Sequence, residues 1–258
     1  MLYFIHGDDF GRNRSRTDAI DRLLQGGMIQ RTTLIVNLSE ADYAAGLARK
    51  HRYVDSVCFH LNLSEGAPLT EPVKKTKLCN SEGQFCFAQS GQILRTCLSP
   101  KSIRAIRQEA EAQMRRFREY GFFSKHLDSH DWLLFNLPVW LAVEPLLSQY
   151  GFETTRKGCR AWMKRKKPLR KLYYFLMDRI IAKELKMKEN WSGGLRSFES
   201  AVKHGDITEK TKAEIMTHPD LVDGDLVDVS NHEYILFTDL LDTLRKNAEF
   251  FTVSGEIT

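Results

Sequence analysis

Apolar and polar residues alternate in blocks over the first 63 positions, and each block has the length of one strand or one helix. The apolar blocks are short and rich in branched or aromatic residues, which is typical of strands. The amphipathic blocks between them have apolar positions on one side at helical spacing. This order predicts a parallel sheet covered by helices, with strands Leu2–His6, Thr32–Asn37 and Val54–Leu63 and helices Ser15–Leu24 and Ser39 to about Lys50.

The second half of the chain continues the same alternation and adds a strand that ends in His126–His130. Together the blocks give about seven strand-helix units, so we predict an α/β fold in the form of a distorted (β/α) barrel. Positions 64–100 are rich in Gly, Pro, Ser and Asn, which favours a long loop that covers a substrate. Beyond position 100, the predicted helices are Lys101–Tyr120, Pro138–Tyr150 and Glu233–Lys246, and the predicted strands include Phe152–Thr155, Ala213–Thr217 and Phe250–Ser254.

A basic segment at about 156–191 interrupts the alternation, and we predict that it is a helical insertion in one domain covering 1–258. It contains Lys164-Arg165-Lys166-Lys167, followed by the apolar and aromatic stretch Leu172–Met177. Such a segment is typical of a solvated helix face or an oligomer contact, and it also permits peripheral contact with a membrane. Much of the net charge of +5 lies here, so we expect no nucleic-acid partner.

The composition is that of a protein with a full hydrophobic core. The chain has 258 residues, of which 42% are hydrophobic and 28% charged. The first apolar run is too short for a signal peptide, so we expect a soluble, cytoplasmic protein. The five cysteines are irregularly spaced and form no C-x-x-C pair, which predicts free thiols at Cys58, Cys79, Cys86, Cys97 and Cys159.

Side chains that bind metal ions stand at the ends of three predicted strands. Asp8-Asp9 closes the first, and His60 and His130 close two later ones. Two imidazoles and one carboxylate hold a divalent ion with positions left open for water and substrate, so we predict a metal site of Asp9, His60 and His130. Neighbouring side chains on a strand alternate, but a turn or bulge at Gly7 and Gly11 would bring both aspartates near one ion.

The same pattern suggests the other groups that metal-assisted hydrolysis needs. Asp8 would remove a proton from water as general base, and His218, which ends a separate strand, would protonate a leaving amine as general acid. Asp128 would orient an imidazole through a hydrogen bond. An Asp-Asp pair alone is most often a turn or cap, and a single histidine is most often structural, so the hypothesis depends on their occurring together.

At these residues the chain resembles the YdjC/ChbG family of carbohydrate deacetylases, which includes HpnK-like proteins. The family's opening motif stands as Asp8-Asp9-Phe10-Gly11, and its threonine-pair strand follows it. The later motifs stand here as His60 to Leu69, His126-Leu127-Asp128-Ser129-His130 and His218-Pro219.

The resemblance implies a NodB-like barrel, a divalent metal on Asp9, His60 and His130, Asp8 as base and His218 as acid. The implied reaction is hydrolysis of the N-acetyl group of an acetamido sugar, with release of acetate. Zinc or magnesium would be the metal, with cobalt, nickel, iron or manganese as alternatives. The family and the apolar helix in the basic segment together favour a homodimer.

Departures from the family pattern concern the substrate. After the third motif this chain has Asp131-Trp132, where many members have further histidines, and it has His6-Gly7 before the aspartate pair, where Asn-Ala is common. Trp132 could stack on a sugar ring and Asp131 could bind hydroxyls or an amine, and we assign Asn62 to substrate binding as well. The basic segment makes a lipid-linked or otherwise unusual acetamido sugar conceivable.

Two other functions fit the same residues. One is a metal-dependent esterase or phosphoesterase, because an open metal site hydrolyses several kinds of bond. The other is a non-catalytic protein that binds carbohydrate or a surface through the basic segment. The intact set Asp8, Asp9, His60, His130 and His218 weighs against the second, since a site without catalysis would tolerate losses among them.

Overall fold

A parallel β-sheet of seven strands organises the molecule. Its structure, a computed structural model, describes residues 2–86, 98–158, 168–189, 191–230, 233–247 and 249–250. Its strands are β1 Leu2–Phe10, β2 Arg31–Leu34, β3 Val57–Leu61, β4 Leu127–Ser129, β5 Trp191–Gly193, β6 Lys212–Thr217 and β10 Glu249–Phe250. Six of them follow one another in the order β4-β3-β2-β1-β6-β5, and β10 pairs with the start of β1. All pairings are parallel.

The sheet continues beyond β4 through isolated parallel bridges and so forms a curled half-barrel. Thr154 bridges His126 on one side and Lys186 on the other, and Lys186 lies shortly before β5 in the chain. The predicted α/β fold with a distorted barrel of about seven strands is therefore confirmed. The carboxyl ends of the parallel strands meet at one edge, which is where such folds place their functional groups.

Helices cover the sheet with their apolar sides. The first has Asn13 as its N-cap, whose side chain accepts a hydrogen bond from the Arg16 amide at 2.9 Å. Ser99 caps the long fourth helix in the same way. The helices are α1 Arg14–Gln25, α2 Ala41–Lys50, α3 Glu71–Lys74, α4 Pro100–Glu119, α5 Leu137–Val143, α6 Leu147–Tyr150, α7 Pro168–Ile181, α8 Leu195–Lys203 and α9 Phe237–Asn247.

A second, antiparallel sheet was not predicted from the sequence. It consists of β7 Pro219–Val222, β8 Asp225–Ser230 and β9 Glu233–Leu236. Asp223 and Gly224, both with positive φ, form the two-residue turn between β7 and β8, as Asp-Gly commonly does. The predicted helix Glu233–Lys246 is wrong in its first four residues, which pair with β8, and α9 begins only at Phe237.

Several predicted boundaries also need correction. The first strand runs to Phe10 and the second is Arg31–Leu34, while residues 54–56 form a helical turn before β3. The predicted helix over 138–150 is broken by a 3-10 turn at Glu144–Leu146, and 152–155 holds only the bridge at Thr154. The predicted loop 64–100 contains α3, and its residues 87–97 lie outside the described ranges, as do 251–254 of the predicted last strand.

The basic segment contains α7, and its two ends belong to the barrel. Trp191 starts β5, and Arg156 is buried among carboxylates at the strand ends. Lys164-Arg165-Lys166-Lys167 lies outside the described residues. The division into one domain and an insertion stays a prediction.

No helix in the described ranges is both long enough and apolar enough to cross a bilayer. Cys58, Cys79 and Cys86 are free thiols, as predicted, while Cys97 and Cys159 lie outside the described residues.

Candidate active site and metal centre

The end of β1, which contains the two consecutive aspartates, is irregular in its pairing with β2. The register against β2 shifts between Gly7 and Phe10, and Asp9 has a φ of 70°. Gly11 has a φ of 83°, and a Cβ there would lie 3.1 Å from the Ile35 carbonyl oxygen, so the turn after the bulge requires glycine. The irregularity predicted at the flanking glycines is present and both aspartates are buried, but Asp9 faces the histidines whereas Asp8 pairs with Arg156, so the two are not turned to one ion.

Asp9, His60 and His130 meet at the carboxyl edge of the sheet. Asp9 Oδ1 lies 2.8 Å from His130 Nδ1 and 3.4 Å from His60 Nε2, and one donor atom from each residue lies within 4.8 Å of the others. Ligands of a tetrahedral ion with bonds of about 2.0–2.1 Å stand roughly 3.3 Å apart. The spacing and the chemistry of the three donors therefore fit a divalent ion.

The second oxygen of Asp9 is held by two arginines. Asp9 Oδ2 accepts hydrogen bonds from Arg16 at 2.7 Å and from Arg12 at 3.2 Å. Each arginine is shared with another carboxylate, Arg16 with Asp220 and Arg12 with Glu65. These contacts leave Oδ1 as the oxygen that faces the histidines. Neither arginine was predicted from the sequence, although the run from Arg12 to Arg16 directly follows the aspartate motif.

The charges of this group depend on one another. Burial disfavours ionisation of Asp9, but the charge of His130 and the hydrogen bonds to it hold the carboxyl pKa well below its ordinary value. Burial also lowers the pKa of His130, yet Asp9 outweighs it and raises that pKa to about 9. A cation held by these residues would take the place of the His130 proton as the positive partner of Asp9.

Asp8 lies beside this group in a different environment. Both of its oxygens accept hydrogen bonds from the Arg156 guanidinium at 2.8 Å, and Thr33 donates to Oδ1 at 3.2 Å. Burial raises the pKa of this carboxyl, but Arg156 and the nearby His6 outweigh burial and hold it well below the usual range. Asp8 is therefore an ionised carboxylate with a fixed orientation.

Arg156 connects three buried carboxylates inside the barrel. Besides Asp8, its guanidinium contacts Asp128 Oδ2 at 3.2 Å and Glu214 Oε1 at 3.0 Å. Arg31 donates to the same Glu214 oxygen at 3.2 Å. Arg156 was predicted to be part of the basic segment, and the structure corrects this, because its side chain is only 4% exposed.

Four acid and imidazole groups around Arg156 also lie close enough to hold a cation. Arg156 and Arg31 supply positive charge to these groups, while His6 Nε2 and Glu214 Oε2 are buried without a hydrogen-bond partner among the described residues. Burial raises the pKa of Glu214, but Arg156 and Arg31 outweigh burial and hold that pKa well below its ordinary value. The four groups are His6, His126, Asp128 and Glu214.

Asp128 and His218 have different contacts. Asp128 accepts a hydrogen bond from His126 at 3.0 Å and pairs with Arg156, so the imidazole that it contacts belongs to His126 and not to a predicted ligand. His218 directly follows β6 and is half-buried, and its Nδ1 is buried without a hydrogen-bond partner in the described structure. It lies close enough to Asp9 to lower the pKa of that carboxyl.

The predicted substrate-binding residues have unequal access to solvent. Asp131 is exposed and Trp132 half-buried, and both follow His130 with positive φ. Arg156 lies 5.8 Å from the centre of the Trp132 ring. Asn62 is fully buried, and its amide bonds Asn37 and the backbone of the loop after β3, so its contact with substrate stays a prediction.

A half-barrel with this cluster at its strand ends is the NodB-like fold. The solved structure of a candidate cellobiose-phosphate cleavage protein from Enterococcus faecalis V583 has the same architecture, with a TM-score of 0.68 over 97% of each chain. At 17% identity, this similarity concerns the fold alone.

The model of the YdjC-like protein family matches residues 3–253, and the chain belongs to this family. Among curated relatives, the carbohydrate deacetylase of Danio rerio is 34% identical over 59% of this chain and 48% of its own length. That of Halalkalibacterium halodurans is 30% identical over 63% of this chain and 69% of its own. The protein of the same name from Geobacillus stearothermophilus is 25% identical over 88% and 83%. The chain thus spans about half the length of the first of these relatives.

The pairing of Arg156 predicts a large, pH-dependent loss of stability in Arg156→Met. Removing this guanidinium leaves three buried carboxylates short of a partner, so we expect the free energy of unfolding at about pH 7.5 to fall by about 3–5 kcal/mol. The unpaired carboxylates of the variant have raised pKa values and take up protons as the pH falls. The difference in free energy of unfolding between wild type and Arg156→Met, measured by urea unfolding, should therefore become smaller as the pH falls toward about 5.

Arg31→Met is the matched control for this experiment. Arg31 is also buried, but it contacts Glu214 and not Asp8, and Glu214 keeps Arg156 as a partner in this variant. Arg31→Met should therefore lose less free energy of unfolding than Arg156→Met. An equal loss for both variants, or a gap that does not change with pH, would contradict the central place of Arg156.

Proposed function

We propose that the protein is a metal-dependent carbohydrate N-deacetylase, which hydrolyses the N-acetyl group of an acetamido sugar and releases acetate. The observation that carries this proposal is the meeting of Asp9, His60 and His130 beside a separately held Asp8. Membership of the YdjC family and the names of the curated relatives support the sugar substrate.

Asp9, His60 and His130 would hold the ion, with Asp9 contributing Oδ1 because the arginines engage Oδ2. A divalent ion held there supplies Lewis-acid chemistry, which polarises the acetamide carbonyl and makes a water molecule easier to deprotonate. Two imidazoles and a carboxylate suit zinc, cobalt, nickel, iron or manganese, and magnesium less well. Zinc and magnesium are the two metals that we would test first.

Asp8 acts as the general base in this proposal. Its depressed pKa keeps it ionised at neutral pH, so it can accept a proton whenever water is placed beside it. The two hydrogen bonds from Arg156 fix the plane of the carboxylate, which leaves lone pairs at a constant position. Such a carboxylate is intrinsically a weak base.

His218 acts as the general acid. Its Nδ1 has no hydrogen-bond partner among the described residues, so an N–H there could be donated to a leaving nitrogen. The peptide N–H of His218 donates to Asp228 Oδ1 at 2.6 Å, which anchors the residue between the two sheets.

Trp132 and Asp131 would form the sugar-binding wall of the site. Trp132 offers an aromatic face to a pyranose ring, and the exposed Asp131 offers acceptors for hydroxyl groups. The homodimer, the cytoplasmic location and the absence of a nucleic-acid partner stay predictions.

Acetate release from a panel of N-acetylated sugars tests the function. Wild-type protein should release acetate, and a chelator should abolish release until a divalent ion is restored. Asp8→Asn should lower kcat by about 10²- to 10⁴-fold, because the amide cannot accept the proton. The matched control is Asp21→Asn, which changes a buried carboxylate that bonds Tyr53 away from the site and should keep kcat.

Three outcomes would contradict this proposal. Unchanged turnover in Asp8→Asn would remove the base assignment. Release of phosphate from simple esters in excess of acetate would favour a phosphoesterase. Sugar binding that survives chelation, without any turnover, would favour a non-catalytic protein.

The role of His218 is tested with two leaving groups. In His218→Gln, kcat for the acetamide should fall by about 10²- to 10⁴-fold, because the amine must be protonated as it leaves. An activated acetate ester, whose leaving group needs no proton, should lose less than about tenfold. His204→Gln, at the exposed end of α8, is the control. Equal losses on both substrates would show that His218 has a structural role only.

A further inference from the structure

Helix α7 presents apolar side chains to solvent. Leu169 is 81% exposed and Leu172 is 52% exposed, far more than expected for large apolar residues in a packed domain. Their spacing places them on one side of the helix. This exposed apolar face of α7 consists of Leu169, Leu172, Phe175, Leu176 and Ile180, which are five of the ten large hydrophobic residues exposed in the described structure.

The opposite side of α7 is fixed to the active-site turn. Met177 and Ile181 are buried, and the Tyr173 hydroxyl donates to the Phe135 carbonyl oxygen at 3.1 Å and accepts from the Leu137 amide at 3.0 Å. The helical turn His130–Phe135, against which α7 packs, begins with the proposed ligand His130 and carries Trp132. The exposed apolar face of α7 therefore belongs to a helix that is held beside the mouth of the site.

The charges that accompany this face are positive. Lys171 and Arg179 are exposed and have no carboxylate partner in the described part of the chain, and Arg179 lies 5.7 Å from the Phe175 ring. Just beyond the helix, Lys183 is exposed as well, next to the exposed Glu184. The one acidic residue of α7, Asp178, is half-buried and accepts a hydrogen bond from the Gly158 amide at 3.3 Å.

This combination distinguishes two possible partners. A second copy of the chain docked face to face would bring Lys171 and Arg179 of one copy near those of the other, and like charges repel. An anionic lipid surface accepts leucine and phenylalanine side chains between its acyl chains and pairs with lysine and arginine at the headgroups. The charge of the face therefore favours the lipid surface.

We propose that the exposed apolar face of α7 docks on an anionic membrane surface, so that the site works on an acetamido sugar carried by a lipid. The choice of substrate rests on the proposed deacetylase function, whereas the docking does not. Because α7 is fixed to the turn that carries His130 and Trp132, docking would place the mouth of the site close to the headgroups.

Co-sedimentation with vesicles tests the docking. Full-length protein should bind vesicles of phosphatidylcholine with phosphatidylglycerol about tenfold more tightly than vesicles of phosphatidylcholine alone, and salt should weaken binding. The double variant Leu172→Asp with Leu176→Asp should lose at least about tenfold in vesicle affinity. Lys171→Glu with Arg179→Glu should lose the preference for the anionic lipid.

Phe123→Asp is the matched control, since Phe123 is 75% exposed in the turn after α4, and the control should bind vesicles as wild type does. Thermal unfolding and turnover of a soluble acetamido sugar should be unchanged in all these variants, which shows that they fold. Equal vesicle binding by wild type and the leucine double variant would overturn the docking. The docking would also be overturned if wild type sedimented as a dimer, the leucine double variant sedimented as a monomer, and neither bound vesicles.

The substrate class has its own readout. Acetate release from a lipid-linked N-acetylglucosamine in anionic vesicles should fall at least about tenfold in the leucine double variant, while release from the soluble sugar stays constant. Turnover of the soluble sugar alone, by wild type, would overturn the lipid-linked substrate. Turnover of neither sugar would overturn the deacetylase function, and vesicle binding would still decide the docking.

Discussion

The Arg156 guanidinium, buried among Asp8, Asp128 and Glu214, is the interaction on which the rest of the site depends. Its partners come from three different strands, β1, β4 and β6, so one side chain holds the interior of the half-barrel together. Buried charges are costly unless each has a partner with good geometry. The network meets this condition with a second arginine, Arg31, on Glu214.

The same constraint gives two adjacent aspartates different chemistry. Asp8 is held by an arginine and cannot move toward a metal ion without losing that partner. Asp9 is turned by the bulge toward His60 and His130, and only one of its oxygens is taken by arginines. The proposed ligand and the proposed base therefore stand next to each other in the chain without competing for one ion.

Much of this arrangement was predictable because it is encoded locally. The strand ends with Asp8-Asp9, His60 and His130 follow apolar runs, and the flanking glycines indicate the bulge. Arg156 was not predictable, because its partners are 28 to 148 positions away and a long-range ion pair leaves no periodic signal. The basic residues that follow Arg156 also favoured its assignment to the basic segment.

The errors in the fold have similar causes. Glu233–Leu236 continues the apolar pattern of α9, so the sequence favoured one helix, but pairing with β8 draws these residues into a strand. The Asp223-Gly224 turn was a local signal for the β7–β8 hairpin that the sequence analysis did not use. Asn62 was assigned to substrate binding, but its closeness to His60 in sequence does not show that its side-chain amide is bonded to Asn37 and to the loop after β3.

Direct titration of the metal-free protein with zinc, followed by calorimetry, tests the central claim that Asp9, His60 and His130 form the metal centre while Asp8 stands outside it. Wild type and Asp8→Asn should each bind one ion with similar affinity, and His60→Gln and His130→Gln should weaken binding by about 100-fold or more. Unchanged affinity in the histidine variants, or loss of binding in Asp8→Asn alone, would contradict this account.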